Sequence, residues 1–182
     1  MWGSKAVNAQ GAFRQQAIEL ADALHSFARY LAGSDSDAED LVQETYARAF
    51  EAGEQFRPGS NLKAWLYRIL RNLFIDRHRR QNISPISNTS IDDAAFQPAL
   101  APRMASFDAN AVTSTDVESA MMALPESSRM LILLDIEGLN ESEVADVLGC
   151  PLGTVKSRLF RARAALRELL RDYAPARNVH GL

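Results

Sequence analysis

Cysteine is almost absent. Cys150 is the only one among 182 residues, which excludes an internal disulfide and any zinc site built from several cysteines. No run of about eighteen apolar residues occurs, so no membrane-spanning helix is expected. The N-terminus has no basic-then-apolar leader ending in small residues, and the expectation is a cytoplasmic protein. Catalytic equipment is missing too. His25, His78 and His180 are scattered, there is no glycine-rich phosphate loop, and no nucleophile has a base near it. The reading is not an enzyme, with no catalytic residue, no metal ligand set and no cofactor. Strand-type alternation is also lacking, and helical periodicity takes its place.

What is present is charge arranged in blocks. The net charge of −3 would argue against nucleic acid if it were spread evenly. Instead, nine acidic residues lie between Glu19 and Glu54, opposed only by Arg29 and Arg48. Six basic residues lie between Lys156 and Arg171 against Glu168 alone. A second basic group, Arg68, Arg71, Arg77, Arg79 and Arg80, closes the segment ending near residue 80. Phosphate attraction is local and is screened beyond roughly 10 Å, so clusters matter more than the mean. Taken one at a time, each cluster is equally well a solvated helix face. Together they predict two nucleic-acid surfaces and one protein-facing surface.

The pattern is all-α, with two small helical domains at 13–81 and 113–174 and a flexible linker at 82–112. Ile18, Ala21, Leu24, Phe27, Ala28 and Leu31 share one helical face. Ser36, three residues before Glu39, reads as a capping box opening a second helix that stops at Gly53. Ser60 can cap a long third helix running to about Arg80, with Leu62, Trp65, Leu66, Ile69, Leu70, Leu73 and Phe74 as its buried stripe. Residues 82–112 are punctuated by Pro85, Pro98 and Pro102 and hold no period. The second domain starts near Thr113, with Val117, Ala120, Met121 and Leu124 inward. A short apolar helix from Met130 to Ile136 follows, then one capped by Asn140 and Glu143 and ended by Gly149, then a last helix from about Leu152 to Tyr173.

Glu143 to Gly149, a tight turn, and Thr154 to Arg158 read as a helix-turn-helix. Ala145 is small where the helices cross, Gly149 allows the left-handed backbone that reverses the chain, and Val144, Leu148 and Val155 lock the crossing angle. The second helix turns Lys156, Ser157, Phe160, Arg161 and Arg163 outward, where base edges of a major groove would lie. Alone, this unit fits many regulators, and a plain helical hairpin with a basic surface accounts for part of it. Cys150, single and in the turn, is expected simply to pack.

The string from Gly149 to Arg163, GCPLGTVKSRLFRAR, resembles the C-terminal signature of extracytoplasmic-function sigma factors, the group 4 subunits of bacterial RNA polymerase. Leu124-Pro125-Glu126 with Arg129 is similar to the same signature. Asp37 to Thr45, DAEDLVQET, resembles the polymerase-binding segment of their first domain, and Asn61 to Asn72, NLKAWLYRILRN, the promoter-melting and −10 segment. Three motifs in the family's order cover most of the chain. The resemblance implies sigma region 2 at 13–81 and sigma region 4 at 113–174, with no folded domain between.

It also implies partners and roles. Asp40, Gln43 and Glu44 fall at the contact with a coiled coil of the polymerase β′ subunit, and three neighbours on an acidic helix surface suit a basic partner. Melting needs only capture of an unpaired strand, through a base pocket and backbone contacts. The loop from Phe56 to Asn61 is the pocket candidate, with Asn61 on a base edge and Lys63, Arg71, Asn72, Asp76, Arg77 and Arg80 along the strand's path. Trp65 is read as core in preference to a stacking platform, and Asp76 as a residue that orients a neighbouring arginine. The −35 element falls to Thr154, Lys156, Ser157, Phe160 and Arg161, with Arg158 and Arg163 on phosphates. The elements lie roughly 16 base pairs, about 55 Å, apart, and some thirty linker residues reach about 100 Å. The same slack lets the domains fold together in an inhibited state. An anti-sigma factor is expected as a further partner, of the zinc-binding, oxidative-stress type that the segments from Asn61 to Leu70 and from Leu169 to Ala174 most resemble. The segment before Ala17 exceeds the family minimum and is a candidate regulatory contact. The rival is a stand-alone helix-turn-helix regulator, which leaves the motifs at 37–45 and 61–72 idle.

Overall fold

Where helices begin and end in this chain is decided by a few capping side chains and left-handed glycines. The structure, a computed structural model, describes residues 3–57, 59–81 and 113–173. Among these every regular element is helical: α1 (Gly3–Ile18), α2 (Ala21–Ala32), α3 (Asp35–Glu51), a 3-10 turn (Gly53–Gln55), α4 (Leu62–Gln81), α5 (Ser114–Ala123), α6 (Glu126–Ile136), α7 (Glu141–Leu148) and α8 (Leu152–Tyr173). The expected linker lies outside the described residues.

Several expected boundaries move, by one to four residues. Gly33 ends α2 in the left-handed conformation, with φ 78°, and the chain is already extended at Ser34. Ser34, not Ser36, therefore caps α3, its side chain accepting from the Asp37 amide at 3.2 Å. Asn61 replaces Ser60 as the cap of α4, its Oδ1 accepting from the amides of Lys63 at 3.0 Å and Ala64 at 3.2 Å. The expected face through Ile18 is broken, because the chain turns at Glu19–Leu20 and leaves Ile18 55% exposed. Val117, expected inward, is exposed on α5, and α6 starts four residues before Met130, at Glu126.

In the second half the expected caps hold. Asn140 accepts from the amides of Ser142 and Glu143, and the Glu143 carboxylate accepts from the Asn140 amide. Gly149 sits at φ 64°, where a side chain would add strain of about 1–2 kcal/mol. Thr113 closes a second capping box with Asp116.

The two halves pack against each other. α4 touches α2 and α3 on one side and α7 on the other, and α2 touches α6. Buried apolar residues from both halves, from Ala17 to Ala165, form one continuous cluster. α4 is accordingly buried beyond its expected stripe: Tyr67 and Ile75 are covered as well as Leu66, Leu70, Leu73 and Phe74. Burial, with the Glu137 carboxylate near, pushes the pKa of the Tyr67 hydroxyl up.

Candidate polymerase and nucleic-acid interfaces

The acidic face of α3 is only partly open. Asp40 and Gln43 are exposed. Glu44 is half-buried, because Arg77 of α4 donates to it through Nη2 at 2.8 Å and Nε at 3.2 Å, and Arg48 pairs with it at 3.5 Å. The Arg77 hydrogen bond holds the Glu44 carboxyl below the usual carboxylate range, against the opposing effect of burial. Arg77 also donates to the main-chain oxygen of Asp40 at 3.2 Å. A residue expected on the DNA path thus braces α4 against the helix expected to meet the polymerase.

The loop before α4 is built on aromatic rings. Phe56 and Trp65 lie 5.5 Å apart by ring centroid, and Phe13 of α1 packs on both, at 5.5 Å and 5.9 Å, as well as on Phe50. Phe13 sits over Gly53, where an added Cβ would come within 3.3 Å of its ring. Trp65 is half-buried in this cluster. Sequence reasoning gave Phe13 no role: a lone aromatic in a weakly amphipathic helix carries no signal of what it packs on. Trp65 alone of the cluster lines a cleft of about 960 Å³ that also takes in Arg57, Asn61, Arg68, Asn72 and Asp76, with Glu143, Asp146 and Val147 of α7.

Asn61 is exposed and Lys63 half-buried, and both are bonded to the second half. Asn61 Nδ2 donates to Glu143 Oε1 at 2.8 Å. Lys63 Nζ pairs with Glu137 Oε2 at 2.6 Å and donates to the Glu137 main-chain oxygen at 2.9 Å. Arg71 lies elsewhere than on an open strand path. It is 7% exposed, its Nη1 donates to Asn72 Oδ1 at 3.2 Å, its Nε has no partner among the described residues, and desolvation lowers its pKa, with Cys150 among the groups near enough to act on its charge. Asn72, Asp76 and Arg80 are exposed on α4.

Arg129 has a role that its motif did not disclose. Its guanidinium donates to the main-chain oxygens of Met121 at 3.0 Å, Met122 at 2.8 Å and Leu124 at 3.1 Å, where α5 ends, and to that of Tyr30 in the last turn of α2 at 2.8 Å. A cation at the C-terminal ends of two helices meets the negative end of both dipoles. Arg29 and Glu118, at 2.6 Å, add a surface pair between the halves.

The helix-turn-helix assembles as its sequence requires. Val144, Leu148 and Val155 are buried, and the Cys150 amide donates to the Ala145 oxygen at 3.2 Å. Cys150 is half-buried against the core. Val155, Leu159, Ala162 and Ala165 form the inner face of α8, while Lys156, Ser157, Phe160 and Arg161 stand on the outer face and Phe160 is 70% exposed. Thr154 and Arg158 are half-buried beside them. Lys156 pairs loosely with Glu141 at 3.5 Å. Arg163 is held by Asp135 in a two-pronged pair, at 2.6 Å and 3.0 Å, so it ties α8 to α6.

Comparison with known proteins accounts for both halves of the chain. Residues 18–83 match the model described as Sigma-70 region 2, and residues 114–166 the one described as Sigma-70, region 4. The chain is 36% identical over 160 residues to the ECF RNA polymerase sigma factor EcfG of Rhodopseudomonas palustris, covering 86% of this chain and 84% of that protein. It is 36% identical over 155 residues to the ECF RNA polymerase sigma factor SigE of Mycolicibacterium smegmatis, covering 85% of this chain but only 60% of that protein's length. In structure it resembles the sigma factor RpoE of Bartonella quintana, solved in complex with the anti-sigma factor NepR, with a TM-score of 0.67, 35% identity, and 88% and 97% of the two chains covered. The chain belongs to the ECF RNA polymerase sigma factors.

Proposed function

We propose that this chain joins core RNA polymerase, carries it to promoters bearing −35 and −10 elements, and assists their melting in the cytoplasm. The observation that carries the reading is the ordered pair of surfaces. An exposed acidic patch on α3 at Asp40 and Gln43 and an exposed basic outer face on α8 occur in one chain that matches regions 2 and 4 in order. The first patch, with Glu44 at its edge, takes the β′ coiled coil. The second reads the −35 major groove through Lys156, Ser157, Phe160 and Arg161, the flat ring of Phe160 suiting a thymine methyl. Asn61, Lys63, Asn72 and Arg80 receive the −10 strand once the domains part, across the segment from 82 to 112. An anti-sigma protein holds the chain inactive, as NepR is bound to the similar RpoE.

Run-off transcription with purified core polymerase on a library of promoter fragments tests this. Chain-dependent starts at templates sharing two elements are expected. No initiation, combined with tight duplex binding by the free chain, would instead make it a stand-alone regulator. Release of the chain from its inhibitor by a zinc chelator identifies the metal-binding kind of anti-sigma protein, and retention identifies a metal-free one.

A further inference from the structure

The end of α1 reaches into the base of the loop assigned to −10 capture. The match to region 2 begins at residue 18, so Phe13, Arg14 and Ala17 all lie before it. Two contacts seat this end of α1 on α3. Ala17 is fully buried and its main-chain oxygen accepts from the Tyr46 hydroxyl at 2.9 Å, while the Arg14 guanidinium lies 5.3 Å from the centre of the Phe50 ring. From that seat the Phe13 ring meets Phe56 at 5.5 Å and Trp65 at 5.9 Å, and those two rings meet each other at 5.5 Å. Phe56 stands where the loop begins. Trp65 stands one helical turn past Asn61, where the loop ends, and its amide donates to the Asn61 oxygen at 3.1 Å. The third ring therefore ties the entry of the loop to its exit.

We infer that Phe13 is a positioning residue for recognition of the −10 bases. The inference deepens the −10 reading of Asn61 and rests on it. Phe13 does not line the cleft, whereas Trp65 does, beside Arg57, Asn61 and Asn72, so Phe13 acts through its two aromatic neighbours. A pocket discriminates between bases only if its walls keep their place when an unstacked base enters. The Ser60 amide and hydroxyl both donate to the Arg57 oxygen, at 3.1 Å and 2.7 Å, and close the loop on itself. Its orientation on the domain comes from the Asn61 cap and from the rings at its two ends. A ring packed on both of those rings limits how far they can slide past each other. The fit is close on the far side as well. A Cβ added to Gly53, in the 3-10 turn that leads into the loop, would stand 3.3 Å from the Phe13 ring.

The test uses the full-length chain assembled with core polymerase, on a promoter found by run-off transcription. Open-complex formation is measured on that promoter and on a copy with one −10 base changed, and the ratio of the two is the readout. Both templates meet the same protein preparation, so partial unfolding leaves the ratio unmoved. Phe13→Ala is expected to lower the ratio by about fivefold, within the range that one mismatched base can cost. Phe13→Tyr keeps the ring and should restore most of it. Gly53→Ala presses on the ring from the other side and should lower the ratio less. Added to Phe13→Ala it should do no further harm, because the space its Cβ needs is then open. Discrimination at a changed −35 base should stay at the parent value throughout. If Phe13→Ala lowers output on both templates alike and keeps the ratio, or if −35 discrimination falls equally, α1 serves stability only and the inference is overturned. Asn61→Ala, run alongside, separates the two levels. If it loses the ratio while Phe13→Ala keeps it, the positioning role alone fails. If both keep it, the −10 reading of the loop fails and the positioning role with it.

Discussion

The two helices that the proposed function sets against DNA, α4 and α8, are of similar length and similarly basic, yet they are held in opposite ways. α8 lies on one neighbour surface: Val155, Leu159, Ala162 and Ala165 point inward and its other side meets solvent. α4 lies between two surfaces, with α2 and α3 on one side and α7 on the other. Leu66, Tyr67, Leu70, Arg71, Leu73, Phe74 and Ile75 are therefore all buried. A helix with one partner keeps a readable stripe, and its polar face is free for recognition. A helix with two partners has no single stripe, and part of its polar face is taken up by packing.

The comparison breaks most visibly at the centre of α4. Leu70 is fully buried in the shared core, and Leu70→Ala is expected to leave a cavity and lower stability by about 2–5 kcal/mol, read by denaturant titration. A loss below about 1 kcal/mol would mean that α4 is not clamped from two sides. Next in size is Asn140→Ala, which removes the cap of α7 and is expected to lower stability by about 1 kcal/mol. Thermal melts of this variant beside a separate Asn140→Ser variant, which keeps a capping oxygen, distinguish loss of the cap from loss of packing.

A smaller effect, at the α3–α4 seam, depends on pH. The Glu44 carboxyl is held below its ordinary value of 4.5, chiefly by the Arg77 hydrogen bond. A lowered folded-state pKa contributes stability that is present above 4.5 and is lost as pH falls through the depressed value. Glu44→Gln should therefore melt lower than the parent chain above pH 4.5, and the gap should close on further acidification. Partial exposure of the Glu44 side chain, and screening by solvent, keep this gap small. Smallest of all for stability is Phe160→Ala on the open face of α8, expected within about 0.5 kcal/mol of the parent chain. The same change should weaken binding to a −35 duplex, so calorimetry and an electrophoretic shift assay should disagree on its importance.

Legibility followed the same division. The fold class, the capping box at Asn140 and Glu143, the turn at Gly149 and the outer face of α8 were readable because each depends on residues within a few positions of one another. Ser34 and Ser36 each precede an acidic residue by three, and only the left-handed turn at Gly33 selects the first. Ser60 and Asn61 posed the same local ambiguity. What the sequence could not disclose are pairings across distance. Arg163 meets Asp135 across 28 positions, Arg77 meets Glu44 across 33, and Asn61 meets Glu143 across 82. Charge alone placed these residues on surfaces, and the fold then matched several of them with each other.

Arg129 has a consequence for how freely the two halves can diverge. All four of its acceptors are main-chain oxygens, one of them in the N-terminal half at Tyr30. A main-chain oxygen is supplied by whatever residue occupies the position, so this join is indifferent to substitution in α2. The contacts of Lys63 with Glu137 and of Asn61 with Glu143 depend on side chains at both ends. A chimaera carrying a foreign first half would thus keep the hinge but lose the lock. Docking geometry and docking strength are separately adjustable within one chain.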